Sequence, residues 1–404
     1  MIRLVAVTLV VAMAAASAAC ADHPVSFEVK FLAIDANEGC DLADFDGDGK
    51  LDISAGRNWY RNGDWFPRAL RIIEDNAGYV RSNGEWAYDV NGDGRPDIVS
   101  MDFMSKEVYW YENPGGETLL RGYLWPKHLL ADTGYATNEA CYLIDLDGDG
   151  KPEWFSNQWS KDVPTIIWKF STEVRKIEVR KGQKTEVVDR EVPTLIGHTI
   201  GTENGHGVAF GDINNDGRDD ILFGRGWYER PAGGDPLSQQ WKCHLDWELD
   251  GSCPMLVYDV DGDGKNDLVC SDSHNYGLFL WRGLGPDSSG KLQFEQKLID
   301  DSFSQAHCLH LADLDGDGVD ELITGKRIRA HNGGDPGAFE PLGVYWYELE
   351  RGPQPVWKKH ILSYNEGIGS ALNLVVSDLD ADGDPDVVVT GKWGGPVWFE
   401  NLRK

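Results

Sequence analysis

The sequence predicts an all-β chain, a seven-bladed β-propeller with a cation-binding loop in each blade. Three observations predict it. One nonamer, D-x-[DN]-x-D-G-x-x-[DE], occurs seven times. Short apolar segments of strand length recur around every copy, and no stretch carries a helical apolar period. The copies begin at Asp44, Asp89, Asp145, Asp212, Asp259, Asp313 and Asp378, with spacings of 45, 56, 67, 47, 54 and 65 residues. Such spacings suit one four-stranded blade with insertions.

The nonamer has the chemistry of a calcium loop. Calcium is a hard cation that takes six to eight oxygens at about 2.3–2.6 Å. Side chains at positions one, three and five of a tight loop point to one centre, and glycine at position six permits the sharp turn. An acid at position nine closes the shell from the start of the next strand. The expected ligands are Asp44, Asp46, Asp48 and Asp52 in the first copy, and Asp89, Asn91, Asp93 and Asp97 in the second. Asp145, Asp147, Asp149 and Glu153 follow, then Asp212, Asn214, Asp216 and Asp220, then Asp259, Asp261, Asp263 and Asp267. Asp313, Asp315, Asp317 and Glu321 form the sixth set, and Asp378, Asp380, Asp382 and Asp386 the seventh. An EF-hand would close with Glu at position twelve between helices. Here the flanks are β-like, Cys40-Asp-Leu-Ala43 before the first copy and Ile53-Ser-Ala55 after it.

The ligand positions of these loops take 26 of the 67 acidic residues, and seven Ca²⁺ would bring the net charge from −29 to about −15. The acidity therefore has a location, and it argues against nucleic acid as a partner, whose phosphates need basic patches. Sixteen Trp and 41% hydrophobic residues spread along the chain argue against an acidic disordered tail.

Four strand patterns accompany each repeat. An inner one precedes the loop, as in Val208-Ala-Phe210, and a second follows it, as in Ile221-Leu-Phe223. A third has an aromatic signature, as in Val108-Tyr-Trp-Tyr-Glu112 and Val344-Tyr-Trp-Tyr-Glu348. A fourth carries W-x-x-H, in Trp125 to His128, Trp241 to His244 and Trp357 to His360. Their repetition assigns these histidines and Trp-Tyr pairs to scaffold. The last repeat stops at its third strand, and Val25–Leu32 supplies a strand without a partner; pairing the two closes the ring and removes two edges. Residues 160–200 are the longest charged insertion and are expected to project as a hairpin on blade three.

Residues 1–21 read as an export signal: Arg3, an apolar run from Leu4 to Ala16, then small residues ending in Ala19-Cys20-Ala21. The chain is therefore expected outside the cytoplasm, with residues 22–404 as one propeller. Ser-Ala-Ala-Cys20 also resembles a lipobox without its aliphatic residue, which leaves a lipid anchor at Cys20 as an alternative. No other apolar run is long enough for a membrane span. Cys243 and Cys253 could close a short disulfide loop.

The loops resemble FG-GAP or VCBS repeats, known from integrin α-chain propellers. A narrower likeness rests on Gly205-His-Gly-Val-Ala-Phe-Gly-Asp212, Asp272-Ser-His-Asn-Tyr276, Gln305-Ala-His307 and Thr324-Gly-Lys-Arg-Ile-Arg-Ala-His-Asn-Gly-Gly-Asp-Pro336. These stretches resemble the propeller part of aldos-2-ulose dehydratases, which eliminate water from keto-sugars. The cupin domains of those enzymes are absent here, so an isomerase step is not expected.

Residues confined to single repeats mark the candidate site. Six residues before each loop stand Glu38, Asn83, Glu139, His206, Cys253, His307 and Leu372. At the ends of the second strands stand Arg57, Asp102, Gln158, Arg225, Asp272, Lys326 and, one residue later, Lys392. If each loop joins an inner strand to a second strand, both sets meet on the opposite face. His274 and His331 follow soon after the same edges. Proton abstraction beside a carbonyl needs a base, here His206 or His307. The enolate needs positive charge from Lys326, Arg225 or a metal. His206, His307 and Glu139 could hold a divalent ion such as zinc or magnesium. The expected activity is that of a carbon–oxygen lyase on a keto-sugar or oligosaccharide. The alternatives are a polysaccharide lyase on uronic acid polymers and a non-catalytic calcium-dependent glycan-binding or adhesion module.

Overall fold

The computed structural model describes residues 25–181, 184–249 and 252–403. Residues 1–21, with Cys20, on which the expected export signal rests, lie outside the described residues, as does the side chain of Cys253 on which a disulfide to Cys243 depends. Among the described residues no helix is long and apolar enough to cross a membrane.

The described residues form seven antiparallel four-stranded sheets and a small two-stranded one. The first sheet runs Cys40–Ala43, Asp52–Ala55, Asn58–Tyr60 and Pro67–Ala69 outward in chain order. The next five repeat that order, with inner strands Trp86–Tyr88, Asn138–Ile144, Val208–Gly211, Ser252–Tyr258 and Ala306–Ala312. In the last sheet Leu374–Ser377, Asp386–Val389 and Val397–Asn401 are joined by Phe27–Phe31 as the outer strand. Its register pairs Phe27 with Asn401 and Phe31 with Val397. The inner strand of the first sheet touches those of the second and of the last, and Leu372 N–H donates to Glu38 O at 3.0 Å across the junction. This is a closed β-propeller.

Apolar burial lies between neighbouring sheets. Ile323, Val344 and Trp346 of the sixth sheet pack with Leu374, Val387 and Phe399 of the seventh, and Phe27 and Val29 lie against the same cluster. Alternating side chains of a strand serve opposite faces, so each sheet contributes to two such cores. Thr165–Lys181 and Lys184–Gly201 form the long charged hairpin of the third sheet.

Each acidic nonamer joins an inner strand to the second strand of its own sheet. The ninth residue ties the loop down. Asp52 accepts N–H bonds from Phe45 at 3.0 Å and Asn62 at 2.7 Å; Asp97, Asp267 and Asp386 repeat both bonds with their own neighbours. Burial, followed by nearby carboxylates, pushes the Asp52 carboxyl up to about 7 and that of Glu321 to about 8. Gly49 and Gly150 sit at φ 87 and 84, a left-handed turn that favours glycine.

The recurring outer-strand histidines hold sheets together. His244 stacks on Trp227 at 4.1 Å and bonds Glu229 at 2.8 Å; His360 repeats this with Trp346 and Glu348. The partner is the tryptophan of the third strand and not that of the W-x-x-H motif itself, because cross-strand neighbours, not sequence neighbours, share a face. His244→Ala is expected to cost about 1–3 kcal/mol of stability, from a lost ring stack and a charge-assisted bond. Urea denaturation measures this, and an unchanged midpoint would count against the scaffold role.

Candidate functional site

Antiparallel pairing brings the starts of inner strands beside the ends of second strands, as in Asn138 with Gln158 and Ala306 with Lys326. That end lies away from the acidic loops. There a cavity of about 560 Å³ is lined by Glu38, Asn83, Glu139, His206, His274, Arg327, His331, Leu372 and Lys392, with Tyr79, Phe103 and Trp159 among its apolar walls.

Its floor is a cluster of imidazoles. His274 Nε2 lies 3.2 Å from His206 Nε2, which is 3.3 Å from Glu139 Oε1. His274 Nδ1 bonds Asp335 Oδ2 at 3.0 Å, and His331 Nδ1 bonds Asp335 Oδ1 at 2.9 Å. The His274 and His331 rings stack at 4.1 Å. His307 meets His274 edge-on at 5.0 Å, with its Nδ1 3.3 Å from the Gln305 carbonyl. A carbonyl and a carboxylate only accept, so in the neutral rings of His307 and His274 the proton sits on Nδ1 and Nε2 carries a lone pair. His307 Nε2 is buried and has no hydrogen-bond partner.

Electrostatics work against protonation of His274 and His307. Burial, then repulsion from His206, lowers the pKa of His274, despite the opposing pull of Asp335. Burial, then Arg327 and His274, takes His307 well below the usual range. Burial works against charge on Glu139 and Asp335, but their histidine partners hold both below the usual carboxylate range. Lys392 is brought down to about 8 by burial and by Arg327. Strained backbone gathers here too: Gln305, Arg329, His331 and Asn332 have φ of 62, 43, 45 and 58. Left-handed conformations at non-glycine residues are costly and tend to cluster at binding sites.

Of the residues expected to act together, the cavity gathers Glu139, His206, His274 and His331. His307 lies beneath His274 and is 1% exposed. Two expectations are corrected. Lys326 is fully buried, with Nζ bonded to Ser304 Oγ at 2.8 Å, and cannot meet a ligand. Arg225 pairs with Glu203 and does not line the cavity. Arg57 likewise pairs with Asp35 at 2.8 Å. The cation that the sixth sheet presents is Arg327, bonded to Glu38 at 2.8 Å. Strand side chains alternate in direction, so Lys326 and its successor part to opposite sides. Asp335 was also missed, although it stands four residues after His331 in one of the quoted stretches.

The acidic loops share a donor set suited to a hard cation. In the first, Gly47 and Gly49 N–H bond the two oxygens of Asp44 at 2.8 Å, and Lys50 N–H bonds Asp48 Oδ1 at 3.1 Å. These bonds orient the carboxylates toward the loop interior. In the fourth, fifth and seventh loops the position-one carboxylate accepts from the N–H groups of positions five and six.

Residues 89–156 and 259–324 match the FG-GAP-like repeat family. No curated protein matches the chain. Among solved structures, a lectin of Agrocybe aegerita described as recognising non-reducing terminal N-acetylglucosamine is 18% identical, with a TM-score of 0.46 over 92% of this chain and 87% of its own. Rhamnogalacturonan lyase YesW is 12% identical, with a TM-score of 0.43 over 93% of this chain and 75% of its own. The two matched stretches each contain two acidic loops, and the remaining sheets carry the same loop at the same junction: the chain is a β-propeller with FG-GAP-like repeats.

Proposed function

We propose that the cavity is the active site of an exported carbon–oxygen lyase, which dehydrates or β-eliminates a keto-sugar or oligosaccharide. The observation that carries this reading is Asp335, one carboxylate that holds both His274 and the open His331 by their Nδ1 atoms. A histidine so held presents an unprotonated Nε2, which suits it to take the proton beside a carbonyl. His331 is the base in this reading, since its side chain is 64% exposed beside the cavity. Arg327 and Lys392 supply positive charge where the enolate develops. The stretches that resemble aldos-2-ulose dehydratases contribute His206, His274, His307, Arg327, His331 and Asp335 to this one place.

The donor set at the floor also fits a divalent ion such as zinc, whereas the imidazole nitrogens do not suit magnesium. Two imidazole nitrogens at 3.2 Å and a carboxylate at 3.3 Å are groups that a cation would satisfy together. His206, His274 and Glu139 would hold it, with Asp335 behind His274 fixing the ring. Such an ion, when bound, supplies Lewis acidity toward a carbonyl oxygen. The acidic loops on the other face are proposed to hold calcium as a structural ion.

A second reading, glycan binding without chemistry, is favoured by the Tyr79, Phe103 and Trp159 rings in the same cavity. Ultraviolet absorbance over a panel of keto-sugars and uronic acid polymers separates the two. The lyase reading expects an unsaturated product from at least one substrate. Saturable binding in the cavity with no chromophore from any substrate leaves the glycan-binding module instead.

A further inference from the structure

One position of the propeller divides the seven acidic loops. It is the residue that follows the third-strand aromatic paired with the first residue after the nonamer: Arg61, Glu112, Lys169, Glu229, Arg282, Glu348 and Glu400. In the first, third and fifth sheets it is basic, and it reaches into the acidic loop of its own sheet. Arg61 Nε bonds Asp46, and its Nη2 bonds Asp48 Oδ2 at 3.0 Å. Lys169 Nζ bonds Asp147 and also Asp149 Oδ2 at 2.8 Å. Arg282 Nε bonds Asp261, and its Nη2 lies 3.5 Å from Asp263 Oδ2. Each base thus bridges positions three and five, the two carboxylates a calcium ion would need most. The position-three side chains concerned are only 5%, 7% and 1% exposed.

In the other four sheets the same position is Glu, which meets a base of the outer strand and brings no cation into the loop. Glu112 bonds His128, Glu229 bonds His244, Glu348 bonds His360, and Glu400 pairs with Lys30. Arg95 and Arg218 in the second and fourth loops do touch an acid, but each reaches only its own position-five carboxylate, Asp93 or Asp216.

We infer that the loops starting at Asp44, Asp145 and Asp259 carry their own cation, the side chain of Arg61, Lys169 or Arg282, and bind no divalent ion. Those starting at Asp89, Asp212, Asp313 and Asp378 stay open to one. This rests on the proposal that the loop family binds calcium, and it changes the expected number of ions from seven to four. The physical ground is competition for the same oxygens. Calcium needs six to eight donors, and a base across positions three and five takes two of them. Displacing it breaks two charge-assisted bonds, one of them to a nearly buried carboxylate, and leaves the base without its partners.

The test is calcium counting on the intact protein, stripped with chelator and dialysed against CaCl₂ alone, with metal analysis and calorimetric titration. Wild type should hold four ions, Lys169→Gln five, and the Arg61→Gln/Lys169→Gln/Arg282→Gln variant seven. Should the triple variant not fold, each single variant should still gain one ion. Seven ions in wild type, or counts that no variant changes, overturn the division. No ions in wild type but three in the triple variant uphold it while removing calcium from the other four loops. No ions in either protein sink both the division and the calcium reading.

Discussion

His331→Ala is expected to lower turnover by ~10²–10⁴-fold, the usual loss for a general base, and to leave the thermal melt unchanged. The side chain is 64% exposed, so its removal opens no cavity in the core. What it removes is the one imidazole that combines a fixed tautomer with access to the ligand. His274 shares Asp335 but has its Nε2 turned to His206, and His307 is closed off below. Asp335→Asn should lower kcat with less effect on KM, since the carboxylate orients the base without touching the ligand. The assay is the initial rate of chromophore formation on the best substrate from the panel, with His360→Ala as a variant outside the cavity. Full activity of His331→Ala would sink its assignment as the base. Equal losses in His331→Ala and His360→Ala would show that stability, not chemistry, is being read.

A chain that starts at Asp35 is expected to be aggregated or unfolded. The lost strand, Phe27–Phe31, is the outer strand of the last sheet and pairs along its whole length with Val397–Asn401. Its removal leaves the row of backbone groups on Val397–Asn401 open, a template for pairing with other chains. It also strips buried Val25 and partly buried Phe27 and Val29 from the core shared by the sixth and seventh sheets, and these side chains together contribute about 3–5 kcal/mol by burial. That is a large part of the ~5–15 kcal/mol by which a domain is stable. Size-exclusion chromatography with light scattering, followed by a melt, reads the outcome. A soluble monomer with the intact protein's melting temperature would refute this role for the strand.

Local patterns carried most of the fold. A nonamer with its glycine at position six and β-like flanks is a statement about a few consecutive residues, and seven of them in register imply a repeated sheet. The closing strand was legible for a related reason: a repeat one strand short at one end and an extra strand at the other leave two open edges. The site was legible only in part. His206 and Glu139 were found because inner strands begin at a constant offset from their loops. Lys326 and Arg327 show where that reasoning fails. The register between their strand and Ala306–Ala312 shifts between Ala306 and Leu309, and near such an irregularity a one-residue difference decides which side chain faces the axis.

By itself, then, the sequence determined the all-β class, the repeat and its acidic loops, and the ring-closing strand, because each follows from short-range periodicity or from a count of strand edges. Tertiary structure alone decided that Asp335 binds His274 from 61 residues away, that His307 lies under the floor, and that Arg61, Lys169 and Arg282 reach into their loops. Those pairings depend on which residues the closed ring brings within about 3 Å of each other, and hydrogen bonds and ion pairs are short-ranged. A local pattern specifies the residues that stand at each end of a strand, but not their partners across the axis.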